Sequence, residues 1–499
     1  MPMRLYNTLT KSTEEFKAIA ADGTVAFYSC GPTVYDDAHI GNFRSFLNAD
    51  VLRRTLELFG HTVRHVMNIT DVGHMTEDED ADGGGEDKMA VAGRRIAEAK
   101  KSGKLPAGAE IDAGNPYAIA SFYADRFLED ARHLGLKVAI EERGHPELMP
   151  RPTRCIPQMI QLVEALIAHG NAYVASDGVV YFSVTSFPAY GQLSGNTLDA
   201  LREGEGGRIN AAHQAVKRHP ADFMLWKSDP THLMRWPSPW GEGYPGWHLE
   251  CSAMARMLLG EEIDLHSGGE DNIFPHHECE VAQSCCASGL QHFARVWFHT
   301  RHLQVEGEKM SKSKGNFYTA RDLFAKGVTP AALRLELVRT HYRTNSNFTL
   351  QGLRDCQRMI DRWCGAREAL VGRTGGDGVG PMQRALAEFK DSLGDDLNVA
   401  RGLGALNTAI NEPAAGDALL ELNALDAINT VLGVFERNTL LEAATDDGLT
   451  ARVEALLEAR RVARASKDFA ASDRARDALT ALGVRIKDGP QGTTWERAI

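Results

Sequence analysis

Two short stretches far apart in the chain carry residue types suited to handling phosphate. His39-Ile40-Gly41-Asn42 stands where an apolar run gives way to a helical pattern. The unpaired N–H groups at a helix start attract anions, Gly41 lets a ligand approach the backbone, and the His39 imidazole can donate to a phosphoryl oxygen. Far downstream, Lys309-Met310-Ser311-Lys312-Ser313 sets two ammonium groups on a polar segment that runs into Lys314-Gly315-Asn316-Phe317. Two mobile cations on such a loop can close over a triphosphate and neutralise charge developing on its α-phosphate. Either stretch alone has a bland reading, a surface histidine or a solvated basic loop. Together, the bland reading requires two coincidences.

A third set of residues has the chemistry of metal ligands. Cys30 precedes the His39 helix, Cys251 lies in Gly-Trp-His-Leu-Glu-Cys, and His276 and Glu280 are spaced to share one helix face. Two thiolates, an imidazole and a carboxylate are ordinary zinc ligands, and an open or expandable position would suit a soft donor. His277, Glu278 and Cys279 in the same stretch are eligible as ligands, partners of ligands or surface residues, and spacing leaves that choice open.

These residues need elements to position them. Val25 to Ser29 reads as a buried strand, about Asn42 to Phe59 as an amphipathic helix, and the segment from His61 to Thr70 as a second strand. That β-α-β opening predicts a parallel sheet. The acid- and Gly-rich residues 76–88 read as a loop. Helical periodicity returns from about Asn115 to Gly135 and from Ile156 to His169, followed by short strands and turns that look like an inserted subdomain. Residues 262–286 then repeat the strand, Gly-rich turn, helix order, as the second half of a doubly wound sheet would. Past about Asp322 the pattern is mostly helical, broken near Gly372 to Gly380, and the chain closes with two helices and a hairpin.

Bulk composition bounds the function. The 499 residues are 43% apolar and 24% charged, which suits several globular domains. A net charge of -12 argues against a general nucleic-acid coat, while leaving room for a local basic face. Eight cysteines at this length fit no secreted disulfide framework. No long apolar run or secretion signal is visible, so a cytosolic location is expected.

The two phosphate-handling stretches resemble the HIGH and KMSKS signatures of class I aminoacyl-tRNA synthetases. The chain is similar specifically to the cysteinyl-tRNA synthetase family, nearly end to end, in the stretches around "FYSCGPTVYDDAHIGN", "NITD", "DFMLWK", "PSPWGEGYPGWHLECSAM", "FPHHECE", "KMSKSKGNF" and the tail "ASKDFAASDRARDALTALGVRIKDGPQGTTW". The resemblance implies an α/β fold: a Rossmann-like doubly wound parallel sheet with an inserted subdomain, a helical anticodon-binding region and a small mixed α/β C-terminal domain. On that pattern residues 20–120 and 221–320 form the two catalytic halves, 121–220 the insertion, 321–440 the stem-contact and helical region, and 441–499 a tRNA-contacting end.

The same resemblance implies site roles. Zinc would be held by Cys30, Cys251, His276 and Glu280, and ATP with Mg²⁺ by His39, Gly41, Asn42, Gly268, Gly269, Asp271, Lys309 and Lys312, with His39, Lys309 and Lys312 catalytic. Gly31, Thr70, Trp247 and His266 would line a cysteine pocket, in which a metal–sulfur bond separates cysteine from serine. Arg460, Arg461, Arg464, Lys467, Arg474 and Arg476 would supply a local cationic face for tRNA-Cys. L-cysteine, ATP and tRNA-Cys are the expected partners of a monomer. Three departures stand out: Asn42 in place of the second histidine of HIGH, Lys314 where leucine is common, and the acidic insertion after Asp71. A related ligase joining cysteine to an amino sugar would share the catalytic core but have no use for the tail. A non-catalytic tRNA-binding relative would be expected to have lost His39, Lys309 and Lys312.

Overall fold

The computed structural model describes residues 2–77, 84–102, 105, 110–197, 216–311, 314–435, 449–465, 468–481, 484–489 and 492–497. Its centre is a four-stranded, all-parallel sheet. Strand β1 (Thr24–Ser29) leads through helix α1 (Ile40–Leu58) to β2 (Thr62–Met67), which pairs beside it. The chain returns much later to the other side of β1 with β7 (Ile263–Gly269), and β8 (Ala294–Thr300) follows at the far edge. The order is therefore β8-β7-β1-β2, and the direction of winding reverses between β1 and β7. In such sheets ligands bind beyond the carboxyl ends of the strands at that reversal.

Strand alternation explains how both faces are buried. Val25 and Phe27 of β1 point into one core and Tyr28 and Cys30 into a second on the opposite face. Buried faces on both sides are what a parallel sheet requires, and the run Val25-Ala26-Phe27-Tyr28 supplies them without a charged residue. Ladder bonding continues past the strand end: the Cys30 N–H donates to Ser267 O at 3.0 Å.

An antiparallel sheet is inserted between the halves. Its strands β3 (Ala172–Val174), β4 (Val180–Phe182), β5 (Phe223–Ser228) and β6 (Gly243–Pro245) lie in the order β6-β5-β4-β3, on both sides of residue 220. Helix α2 (Trp247–Leu259) follows β6 and helix α3 (Glu278–Ser288) precedes β8. Residues 76–88 were expected to be loop. The described ends of that segment instead pair as a hairpin, Met75–Glu77 with Gly84–Asp87; the rest of the acidic insertion, 78–83, lies outside the described residues. Pairing gives the backbone polar groups partners that composition alone does not reveal.

After β8 comes a three-stranded sheet that the sequence pattern did not suggest. Strand β9 (Leu303–Val305) pairs antiparallel with the short β10 (Glu308–Lys309) and parallel with β11 (Ser346–Phe348), from which it is separated by helix α4 (Pro330–Val338). Three-residue strands leave no alternation to read. The helical region then comprises α5 (Leu350–Val371), α6 (Pro381–Gly394), α7 (Val399–Ile410) and α8 (Ala418–Leu432), with the Gly-rich break between α5 and α6. Helices α9 (Leu449–Ala465) and α10 (Phe469–Ala481) and the antiparallel pair β12 (Val484–Gly489) and β13 (Gly492–Arg497) close the chain.

Candidate functional site

The His39 turn is built by reciprocal capping. The Asn42 N–H donates to His39 Nδ1 at 3.2 Å, and the His39 N–H donates to Asn42 Oδ1 at 3.1 Å. The His39 N–H, which opens the helix, thereby gains an acceptor, and the Asn42 N–H is shared between the His39 ring and the His39 carbonyl. Because Nδ1 accepts, the neutral ring carries its proton on Nε2, the nitrogen able to donate to a phosphoryl oxygen. Asn42 therefore has a structural task that its amide oxygen performs.

The downstream basic segment meets this turn in space. The Ile40 N–H donates to Tyr318 O at 3.0 Å, and the Phe317 ring lies 5.4 Å from the His39 ring. A Cβ at Gly41 would stand 2.9 Å from the His39 ring and 3.2 Å from Met310 Cε, so only glycine fits between them. Lys309, the last residue of β10, is exposed. Lys312 lies outside the described residues. The Gly-rich end of β7 brings Gly268 and Gly269 to the same edge of the sheet, where the Gly269 N–H donates to Asn272 Oδ1 at 2.9 Å and Asp271 lies in the following turn.

Beside these loops, behind the end of β1, lies a buried cluster of sulfur, imidazole and carboxylate groups. Cys30 Sγ is 3.8 Å from Cys251 Sγ and 3.7 Å from Glu280 Oε1, and His276 Nε2 is 3.1 Å from Glu280 Oε1. Cys30, Cys251, His276 and Glu280 each offer a ligand atom within 4.8 Å of the others and could hold a metal ion. A second grouping shares Cys30 and Glu280 but replaces the other two by His266 and His277. His266 Nε2 is 3.0 Å from Glu280 Oε2, and His277 Nε2 is 3.2 Å from Cys30 Sγ.

Charge is shared tightly in this box. A hydrogen bond from Cys30 outweighs burial and brings the Cys251 thiol down to about 7, while burial pushes Cys30 well above the usual thiol range. Burial would lower His276, yet its hydrogen bonds to Cys251 and Glu280 raise it to about 10. Burial would raise Glu280, but the adjacent His266 and His276 hold it at about 2. Of the four groups, Cys251 and Glu280 are the two held toward their negatively charged forms, the charge that a cation would meet.

Outer imidazoles orient the inner ones, a role the sequence reading missed. His248 Nδ1 is 3.0 Å from His276 Nδ1, leaving His276 Nε2 directed at Glu280. His277 Nδ1 is 2.7 Å from His299 Nε2, whose Nδ1 reaches Thr8 Oγ1 at 2.8 Å. The adjacency of His248 to Trp247 and its three-residue spacing from Cys251 were the available signal; nothing local marks His299.

The expected pocket residues gather around this cluster. The half-buried Trp247 ring lies 4.4 Å from His276. Thr70 is buried and receives a 2.9 Å bond from Asn68 Nδ2. The Gly31 N–H donates to Asn68 Oδ1 at 2.9 Å, and any Cβ there would collide with the Asn68 carbonyl. The basic tail residues divide. Arg461, Arg464, Arg474 and Arg476 are exposed, with Arg461 paired to Glu458 and Arg476 to Asp473. Arg460 departs from the expected cationic face: it is buried, with its guanidinium turned to the terminal hairpin, where Nη1 is 3.5 Å from Thr493 Oγ1. Lys467 lies outside the described residues.

Comparison with known proteins decides the family. Residues 16–358 match the family described as tRNA synthetases class I (C) catalytic domain, and residues 446–495 match the cysteinyl-tRNA ligase anticodon binding domain. The cysteine–tRNA ligase of Salinibacter ruber is 43% identical over 99% of this chain and 98% of its own length. This chain belongs to the cysteine–tRNA ligase family. Another member, from Thermus thermophilus, is 40% identical over 99% of both chains. Solved structures show the same class I fold at low identity. The Mycobacterium tuberculosis methionyl-tRNA synthetase in complex with methionyl-adenylate has a TM-score of 0.51 at 12% identity, covering 83% of this chain and 90% of that one. The Agrobacterium radiobacter K84 agnB2 LeuRS in its ternary complex with tRNA and LeuAMS has a TM-score of 0.55 at 10% identity, covering 84% and 85%.

Proposed function

We propose that the protein activates L-cysteine with ATP and Mg²⁺ to cysteinyl-adenylate, releasing pyrophosphate, and transfers the cysteinyl group to the 3′ end of tRNA-Cys. The observation that carries this reading is the meeting of the His39 turn and the Met310 segment beside a buried two-cysteine, histidine, glutamate cluster at the sheet reversal. His39 Nε2–H, Lys309 and Lys312 would hold the phosphates in line and neutralise the charge developing at the α-phosphorus. The Gly268, Gly269 and Asp271 turn would receive the adenosine. No protein nucleophile is needed, since the substrate carboxylate attacks and positioning with charge neutralisation supplies the rate.

Zinc fits Cys30, Cys251, His276 and Glu280. Zn–S bonds of about 2.3 Å in a tetrahedron separate two sulfurs by about 3.8 Å, and the two thiols stand 3.8 Å apart. The alternative grouping would leave Cys251, a buried thiol of lowered pKa, without a role. When bound there, zinc would take the substrate thiolate and so separate cysteine from serine. Trp247, Thr70, Gly31 and His266 would then enclose the remaining few atoms of the amino acid, with Trp247 as a wall over His276.

In this reading the Arg461, Arg464 and Arg474 face contacts tRNA, as would Lys467. Residues 321–440 would hold the tRNA stem, and 441–499, which carry the match to the anticodon binding domain, would contact the anticodon arm. Eight free thiols suit a reducing cytosol, where we expect the enzyme to act as a monomer. Among the described residues no helix is long and apolar enough to cross a membrane. The test is cysteine-dependent pyrophosphate exchange, together with transfer of labelled cysteine to a tRNA-Cys transcript. Both are expected. Exchange without transfer, to transcript and to native tRNA alike, would overturn the tRNA step, and absence of both would overturn the reading.

A further inference from the structure

Arg44 lies on the first turns of α1, just past the His39 cap, and its side chain is buried. Among the described residues no carboxylate lies within ion-pair distance of it. Its guanidinium instead donates to four backbone carbonyls: Leu337 at 2.8 Å, Thr344 at 2.9 Å, and Arg301 and His341 at 3.2 Å each. Leu337 belongs to the last turn of α4, whose carbonyls present the negative end of a helix dipole. A planar fork with five donors can serve carbonyls in several directions at once, which a lysine cannot.

One of those carbonyls stands at the root of the Lys309 loop. Arg301 and His302 directly precede β9, and β9 with β10 forms the hairpin that delivers Lys309 and Met310. The same two residues are gripped from the other side. Glu270, next to Gly269 in the adenosine-side turn, accepts from Arg301 Nη1 at 2.6 Å and from the His302 N–H at 2.8 Å. Segment 301–302 is thus bonded both to the helix that begins at His39 and to the Gly-rich turn, so all three ATP-handling segments meet at its backbone.

We propose that segment 301–302 is the pivot that sets the Lys309 loop over the His39 turn, with Arg44 as its positioning residue and Glu270 as the second clamp. This rests on the ligase reading above. Misplacing cations that act chiefly in the transition state lowers turnover, whereas the metal cluster and Trp247, which would bind cysteine, are untouched.

The test uses the full-length, zinc-loaded enzyme. In Arg44→Lys, the kcat of cysteine-dependent pyrophosphate exchange is expected to fall about 10- to 100-fold, with the KM for cysteine within about twofold of the unsubstituted value. Glu270→Ala, at the rim of the site, is expected to shift kcat in the same direction by several-fold. An unchanged kcat in folded Arg44→Lys, or a loss matched by a proportional rise in the KM for cysteine, overturns the inference. Should Arg44→Lys lose its cooperative melt, Glu270→Ala decides: a lower kcat at constant KM for cysteine supports the pivot, and an unchanged kcat removes it. Absence of exchange in the unsubstituted enzyme would overturn the ligase reading, and this inference with it. An active parent with indifferent variants overturns this inference alone.

Discussion

Cys251 and His65 show how one buried side chain can serve chemistry or stability. Cys251→Ser removes one of two sulfurs that stand 3.8 Å apart, and a serine hydroxyl does not replace a thiolate at neutral pH. Bound zinc, measured by elemental analysis, and cysteine-dependent exchange should each fall on the order of 100-fold, while a urea melt of the metal-free protein changes little. Equal losses in activity and in that melt would remove the ligand assignment. His65 lies on β2 beside β1, stacked on Phe27 at 4.3 Å, with Nε2 2.7 Å from Ser29 Oγ. Burial, helped by Arg53, brings its pKa down to about 3. In the unfolded chain it would titrate near 6.5, so between those values the unfolded state binds more protons and stability falls as pH drops. Metal-free protein should therefore weaken from about pH 6.5 downward, and His65→Gln should flatten that slope in urea titrations at pH 7 and pH 5. At this scale the ligand types were legible in the sequence because cysteine, histidine and glutamate announce their chemistry. The imidazoles that orient them were not, since His299 reaches His277 only through the packing of β8 beside β7.

Helix α1 joins two tasks in one element: its start faces phosphate and its body fills the core. Ile40, Phe43, Leu47 and Val51 are buried along its length, so the helix is held by packing and not by exposed propensity. Its entry depends on the His39 and Asn42 exchange. Asn42→Ala should cost about 1 kcal/mol in a denaturant melt, because the His39 N–H loses its Oδ1 acceptor, and should lower exchange activity more than that stability loss accounts for, because the turn that places the His39 ring is then held less firmly. A variant that lost stability but exchanged at the parent rate would show that the cap is structural only. The strand–helix–strand order around α1 was legible from periodicity. The β9–β11 pairing was not, because strands of three residues carry no pattern and the two partners are separated by two helices, Ala320–Ala325 and α4.

Across the whole molecule, a second buried arginine ties the catalytic sheet to the helical region. Arg334 on α4 donates to Asp50 on α1 at 2.5 Å, to Leu432 O at the end of α8 at 2.6 Å, and to Leu134 O at 3.0 Å. Burial would raise the Asp50 carboxyl, yet Arg54 and Arg334 together hold it well below the usual carboxylate range. Arg334→Ala would take from Asp50 one of its two arginines and from Leu432 O and Leu134 O their guanidinium donor, and a loss of about 3–5 kcal/mol is expected from equilibrium urea unfolding. A change below about 1 kcal/mol would mean that water restores the missing bonds.

The sequence by itself determined which chemistry was available: two phosphate-handling motifs, a sulfur-rich ligand set and enough patterning for a doubly wound sheet, all local in sequence and so readable from it. Tertiary structure alone decided which imidazoles stand behind the ligands, that Asn42 caps His39, that Arg460 is buried, and that Arg44 and Glu270 grip one short segment from opposite sides. The contacts of Arg44, His277 and Glu270 join residues 257, 22 and 31 positions apart, and the His39 cap is a local geometry that composition and periodicity do not record.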